Sequence, residues 1–196
     1  MTISEQDYLK IIYEKGGTSR LVSNKEIAEA LKLSPPSVSE MIKRLTSRGY
    51  IQYEPYRGMK LTEKGREKAV QVIRRHQLWE LWLTKDLGYP LHMVHEEAER
   101  LEHAMSEELE KRLFEYLGRP THGAMGEVIR SGEDSETETP HPSCSLSACE
   151  AGLLYKISWI EDDSELLKYF EALGLKIVDQ LKLNDKAPLL GPITVE

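Results

Sequence analysis

Cysteine is scarce in this chain: two residues in 196, Cys144 and Cys149, both inside one Ser/Pro-rich segment. Two thiols so placed build no disulfide framework, and a CxxxxC spacing is a weak metal signal. Long hydrophobic runs are missing too. No apolar stretch approaches the roughly 18 residues that a membrane span needs, and the N-terminal MTISEQDYLK lacks a signal-peptide pattern. The expected compartment is the cytoplasm, with no membrane partner. An excess of positive charge is also absent, since the net charge is −7, which at first argues against nucleic acid. The distribution says otherwise. Residues 1–62 hold 10 Lys/Arg against 7 Asp/Glu, residues 63–120 hold 10 against 12, and residues 121–196 hold 6 against 14. The acidity is concentrated at the C-terminal end, which leaves the N-terminal third free to approach phosphate. What remains is ordinary: 40% hydrophobic and 30% charged residues, the make-up of a globular protein with one or two domains.

The N-terminal third reads as three helices and a hairpin. Ser4 is expected to cap the first helix, with Tyr8, Ile11 and Ile12 inward. Ser23 and Glu26 form a capping box that opens NKEIAEAL. Ser34 followed by Pro35 opens a third helix with Val38, Met41, Ile42 and Leu45 inside. Its outward face shows Ser37, Ser39, Glu40, Lys43, Arg44 and Ser47. Two short helices joined by a tight turn, the second polar at its start and basic further on, suit a helix-turn-helix. The following YIQYEPYRGMKLT alternates as a β-hairpin wing, with Arg57 at its tip placed for a phosphate. The same winged unit used only for protein contacts is the alternative; Lys43, Arg44 and Arg57 favour DNA.

A long helix is expected from about Glu63 to Leu87, and after Gly88-Tyr89-Pro90 another over Leu91–Met105, LHMVHEEAERLEHAM. On the latter, Val94, Ala98, Leu101 and Met105 form an apolar stripe. His92, His95, Glu99, Glu102 and His103 fall beside it within an arc of roughly 100°, because i, i+3, i+4 and i+7 share a face. All five side chains can bind a divalent ion, and Arg100 is the only cation in that stretch. On this pattern alone a metal site and a solvated acidic face fit equally. His76 and Glu80, i and i+4 on the preceding helix, tip the reading toward metal. The helix from Ser106 to Leu117 reads as plain core or interface.

These pieces together resemble the diphtheria-toxin-repressor family of metal-dependent transcriptional repressors, including its manganese transport regulators. The likeness runs through SPPSVSEMIKRL, YRGMKLTEKG, RRHQLWE, VHEEAERLEHAMS and, more loosely, THG. The resemblance implies two metal ions per subunit, between the DNA-binding and dimerisation parts. It implies a regulatory site of Asp7, Glu99, Glu102 and His103, and a second site of His76, Glu80 and His95 completed by a C-terminal acid, for which Glu161 is the candidate. Asp7 has another explanation, as the N3 residue of a helix capped by Ser4. Base contacts are implied for Ser34, Pro36, Ser37, Ser39 and Glu40, with Lys43 and Arg57 nearby. Iron-responsive members carry a Met and a Cys where this chain has Asp7 and Glu99, and hard carboxylates suit Mn²⁺, with Fe²⁺ as the alternative. Some manganese regulators carry a Glu three residues after the Asp; Lys10 stands there instead, which favours separate sites over a closely spaced pair.

The fold expected is mainly α: a winged helix-turn-helix (1–62), a helical metal-binding and dimerisation domain (63–123), a polar tether (124–150) and a small SH3-like β domain (151–196). Within the last, GLLYKISWI and KIVDQLKLN are expected as strands around the helix DDSELLKYFEALGL, PLLGPITVE is expected to begin a further one, and the domain is expected to be incomplete, without the closing strands of such a barrel. His141, Cys144 and Cys149 could bind metal, but a plain flexible tether is the favoured reading of this stretch. The function expected is a homodimeric, metal-dependent repressor of metal-uptake genes on a palindromic operator. Two alternatives are a metalloenzyme using the His/Glu cluster, for which no HExxH-type base is present, and a winged-helix regulator of an organic ligand.

Overall fold

The computed structural model describes residues 1–130, 143–187 and 191–196, so His141 lies outside the described residues. Among these, the elements are α1 (Ile3–Glu14), α2 (Asn24–Leu31), α3 (Pro35–Ser47), β1 (Ile51–Glu54), β2 (Gly58–Leu61), α4 (Glu63–Leu87), α5 (Leu91–Glu102), α6 (Glu107–Tyr116), β3 (Leu154–Lys156), α7 (Ser164–Ala172), β4 (Gln180–Lys186) and β5 (Ile193–Val195). The architecture is mainly helical, with a two-stranded wing and a three-stranded antiparallel sheet ordered β3-β4-β5.

The start of α1 differs from expectation. Thr2, not Ser4, is its cap: the Thr2 hydroxyl accepts the Glu5 N–H at 3.3 Å, and the Glu5 carboxylate accepts the Thr2 N–H at 2.9 Å. Glu5 is therefore the N3 acid. The capping explanation for Asp7 falls away with it. The expected box of Ser23 and Glu26 opens α2. Ser34 stands at the N-cap of α3, but its hydroxyl pairs with Ser37 Oγ at 2.9 Å instead of with a backbone amide.

One core holds the winged unit together, built from Leu9 and Ile12 of α1, Ile27 of α2, Val38, Ile42 and Leu45 of α3, and Ile51 and Met59 of the wing. The wing pairs Ile51 with Leu61 and Tyr53 with Met59. Val22 adds a bridge to it, exchanging two 2.8 Å backbone hydrogen bonds with Met59. Gly58 has φ +125°, and a Cβ there would meet the Val22 carbonyl oxygen at 2.4 Å. A side chain would push the wing off its anchor.

Helix α4, capped by Thr62 and ended by Gly88 in the left-handed region, runs from the wing into two further cores. Leu78 and Leu81 pack with Met105, Leu113 and Ile129, while Leu83 packs with Val94, Met125, Ile160, Leu167 and Phe170. The second of these joins α4 and α5 to α7. Its composition corrects one expectation: the polar stretch beginning at residue 124 is folded over its first seven residues. Met125 and Ile129 are buried, Ile129 donates its N–H to Thr121, and Ile160 donates its N–H to Met125. Further on, Cys144 and Cys149 form a single local disulfide, not a pair of metal donors. The C-terminal strands are shorter or shifted. Only Leu154–Lys156 of GLLYKISWI is a strand, and β4 starts at Gln180 because Lys176–Asp179 turns, the Asp179 N–H reaching the Lys176 carbonyl.

Candidate metal centre and DNA face

Helical spacing brings the expected donors together in two groups. His76 and Glu80, one turn apart on α4, meet His95 of α5, and Asp7 of α1 meets Glu102 and His103 at the end of α5; in each group one donor atom per residue lies within 4.8 Å of the others. In the first, His76 Nε2 is 2.9 Å from Glu80 Oε1 and 3.1 Å from His95 Nδ1. In the second, His103 Nε2 is 3.0 Å from Asp7 Oδ1 and 3.4 Å from Glu102 Oε1. The other His103 nitrogen meets Gln6 Oε1 at 2.7 Å, which fixes the ring.

Two expected donors behave differently. Glu99 is not drawn into the Asp7 group; it faces His95 Nε2 at 3.5 Å and is largely exposed. Glu161 is exposed, and its neighbour Asp162 is the C-terminal acid that reaches the site, 2.6 Å from His95 Nδ1. Both acids precede α7 in one short run, and a chain without regular period there gives no way to tell which points inward. His92, part of the donor arc on α5, is taken by Glu171 of α7, which also accepts the Leu91 N–H at 2.8 Å.

The electrostatics are those of a site built around nitrogen and oxygen donors. Burial pushes Glu80 up, but hydrogen bonds from His76 and His95 outweigh it and bring it down to about 2. Burial acts on Glu102 in the same sense, again outweighed by the His76 bond and the Lys10 charge. Hydrogen bonds to Asp162, Glu80 and Glu99 push His95 far above an ordinary imidazole. Asp7 is raised, by burial first and by the carboxylates of Glu102 and Glu99. Two buried carboxylates facing imidazoles this closely are a costly arrangement unless cations share them.

Two features near the site were not anticipated: the burial and pairing of Lys10, whose identity at this place had been noted, and the presence of Glu127. Lys10 is buried and its ammonium lies 3.0 Å from Glu102 Oε2. Glu127 has one carboxylate oxygen accepting the Met125 N–H and the other buried without a hydrogen-bond partner. Burial and the Glu80 charge push Glu127 up to about 7. An i, i+3 pattern from Asp7 was the available signal for Lys10. Glu127 had none, because it sits in a loop expected to be solvated.

The residues expected to contact DNA lie at the surface. Ser34 at the N-cap of α3, and Pro36, Ser37, Ser39, Glu40 and Lys43 on the helix, are all exposed. Arg57 is exposed at the wing, ion-paired with Glu54. Arg44, counted among the outward cations, is committed elsewhere: with Arg48 it grips the buried Glu5 of α1, at 3.0 Å and 2.6 Å.

Comparison with known proteins settles the family. Residues 1–59 match the N-terminal DNA-binding domain of the iron-dependent repressors, and residues 62–130 match their metal-binding and dimerisation domain. An uncharacterized HTH-type transcriptional regulator of Methanocaldococcus jannaschii is 40% identical over 114 residues, covering 58% of this chain and 91% of that protein. The chain belongs to the iron-dependent repressor family. A diphtheria toxin repressor of Corynebacterium efficiens is 39% identical over 122 residues, 62% of this chain and 53% of that one. This iron-dependent repressor family member thus spans about half the length of that corynebacterial relative. A solved manganese-dependent transcriptional repressor in complex with manganese superposes with a TM-score of 0.82 at 35% identity, over 97% of this chain and 88% of that one. The family is one of metal-dependent, DNA-binding transcriptional regulators, and the family likeness runs through both groups of donors and the recognition helix.

Proposed function

We propose that this protein is a homodimeric, metal-dependent repressor that binds a palindromic operator and controls metal-ion uptake genes, with Mn²⁺ as its ion and Fe²⁺ as the alternative. It acts as a regulator and not as an enzyme, and its workplace is the cytoplasm, where its DNA is. The division into a DNA-binding domain (1–62), a metal-binding and dimerisation domain and a C-terminal β unit belongs to this reading. So do the base contacts by Ser34, Pro36, Ser37, Ser39 and Glu40 and the phosphate contacts by Lys43 and Arg57.

The donor sets fit divalent ions. Asp7, Glu102 and His103 would hold one, with Glu99 as the adjoining acid; His76, Glu80 and His95 would hold another, with Asp162 replacing Glu161 as the C-terminal donor. Oxygen-rich sets of this kind suit Mn²⁺. A bound ion supplies positive charge that carboxylates on two helices can share. One observation carries the coupling to DNA. A single turn of α1 touches both functions: Asp7 faces His103 at 3.0 Å, and Glu5, two residues earlier, grips Arg44 and Arg48 of the recognition helix. Whatever fixes Asp7 against α5 fixes Glu5, and Glu5 fixes α3.

The test is a gel shift against duplexes selected from a random pool, with Mn²⁺, Fe²⁺, Zn²⁺ and chelator in parallel. Mn²⁺ is expected to tighten binding about tenfold or more, and Asp7→Ala and Glu102→Ala to remove the gain. Equal affinity with and without metal would reject the reading.

A further inference from the structure

Between the two groups of donors lies a cation that belongs to the chain itself. Lys10, on α1 one turn after Asp7, is only 8% exposed. Its Nζ donates to both oxygens of Glu102, at 3.0 and 3.3 Å, and stands 3.4 Å from His76 Nδ1. Glu102 belongs to one donor group and His76 to the other, and these two are themselves joined at 2.5 Å. The ammonium therefore sits at the seam between them, within reach of a ligand from each.

A buried lysine at such a place has two effects. It adds the one full-time cation beside Glu102, which at 1% exposure is shielded from solvent and otherwise faces the imidazoles of His76 and His103. It also spends both oxygens of that carboxylate on hydrogen bonds, while the acid faces His103 from one of them. A divalent ion held by Asp7, Glu102 and His103 requires an oxygen that Lys10 now holds, and brings like charge beside the ammonium.

We propose that Lys10 is a tethered counter-cation that competes with the incoming metal for Glu102 and so sets the metal concentration at which the regulatory site loads. This rests on the functional reading above. Lys10 is a positioning and threshold residue, not a ligand. With it in place the metal-free protein keeps Glu102 satisfied, and loading must first release Glu102 from α1's own charge. Because Lys10 and Asp7 share α1, the exchange changes which α1 side chain is held against α5, from Lys10 on Glu102 to Asp7 on the ion.

The experiment is titration calorimetry of Mn²⁺ into the full chain in a His95→Ala background, which leaves the Asp7 group as the site under study. Lys10→Gln keeps a hydrogen-bond donor for Glu102 but removes the charge, and is expected to bind Mn²⁺ about tenfold tighter or more, the scale of a direct coupling between neighbours. Lys10→Arg keeps the charge and is expected to bind like the parent. Should Lys10→Gln fold poorly, Lys10→Met is measured in its place, with the same expectation. Unchanged or weaker binding in the neutral variants, or tighter binding in Lys10→Arg as well, overturns the proposal while leaving the metal site intact. No Mn²⁺ binding by the parent overturns the metal reading and this proposal together.

Discussion

At the scale of single residues, the surprises are charges placed where helical period gives no information. Glu127 is one. Its Oε1 is buried without a partner, and a Cβ on Gly123 would lie 1.6 Å from that oxygen, so any larger residue at 123 must displace the carboxylate. Burial raises its pKa from 4.5 to about 7. A carboxyl whose folded pKa is raised contributes its full stability below the unfolded value and loses it as pH rises through the folded one. In chelator, the stability of the parent should therefore fall relative to Glu127→Gln as pH climbs from about 4.5 to about 7, with a slope of up to about 1.4 kcal/mol per pH unit. Denaturant unfolding across that range checks it. Parallel curves for parent and variant would contradict it. The pairing of Lys10 with Glu102 and the places of Glu127 and Asp162 were illegible in advance for the same reason: each is fixed by a neighbour distant in sequence, through burial or a loop without period. His76, Glu80, His95, Glu102 and His103 could be picked out as candidates because helix spacing and the family resemblance both bear on them, whereas Asp7 came from the resemblance alone.

At the scale of elements, capping chemistry and period located most boundaries. The long helix expected from Glu63 to Leu87 spans those residues, and the wing runs Ile51–Glu54 and Gly58–Leu61 as its alternation required. The misses occurred where local signals competed. Two hydroxyls, Thr2 and Ser4, both stand near the start of α1, and the reciprocal bond with Glu5 selects Thr2. In the C-terminal part, Ile157 and Ile177 pack against the core of Leu83, Val94, Met125, Ile160, Leu167 and Phe170, and beyond Lys156 the pairing continues only as backbone bonds between Ile157 and Val178–Asp179. The element that carries most of the functional argument is α1, which meets α3 through Glu5 and α5 through Asp7. Glu5→Gln isolates that linkage, since glutamine preserves the capping box while losing the charge that binds Arg44 and Arg48. The variant should bind Mn²⁺ within about threefold of the parent, yet the factor by which Mn²⁺ tightens DNA binding should drop by about tenfold. Fluorescence anisotropy with and without metal measures that factor, in which any uniform effect of the freed arginines cancels. An unchanged factor would mean that α1 does not pass the signal through Glu5.

For the whole molecule, three cores are strung along one 25-residue helix. Helix α4 leaves the winged unit at Thr62, carries His76 and Glu80 past α1 and α5, and ends among the residues that hold α7. The candidate donors thus sit where α1, α4 and α5 meet, with Asp162 reaching His95 from just before α7. On the proposed reading, an ion at these donors would restrict the angle between the winged unit and the helical part, as a dimer presenting two recognition helices about one helical turn of DNA apart would require. Metal and DNA are then linked reciprocally: each must raise the other's affinity by the same factor. The decisive measurement closes that cycle. Mn²⁺ affinity is determined by calorimetry with and without a selected operator duplex, and operator affinity by anisotropy with and without saturating Mn²⁺. The account predicts that both ratios exceed about tenfold and agree with one another; a Mn²⁺ affinity that the operator leaves unchanged would contradict it.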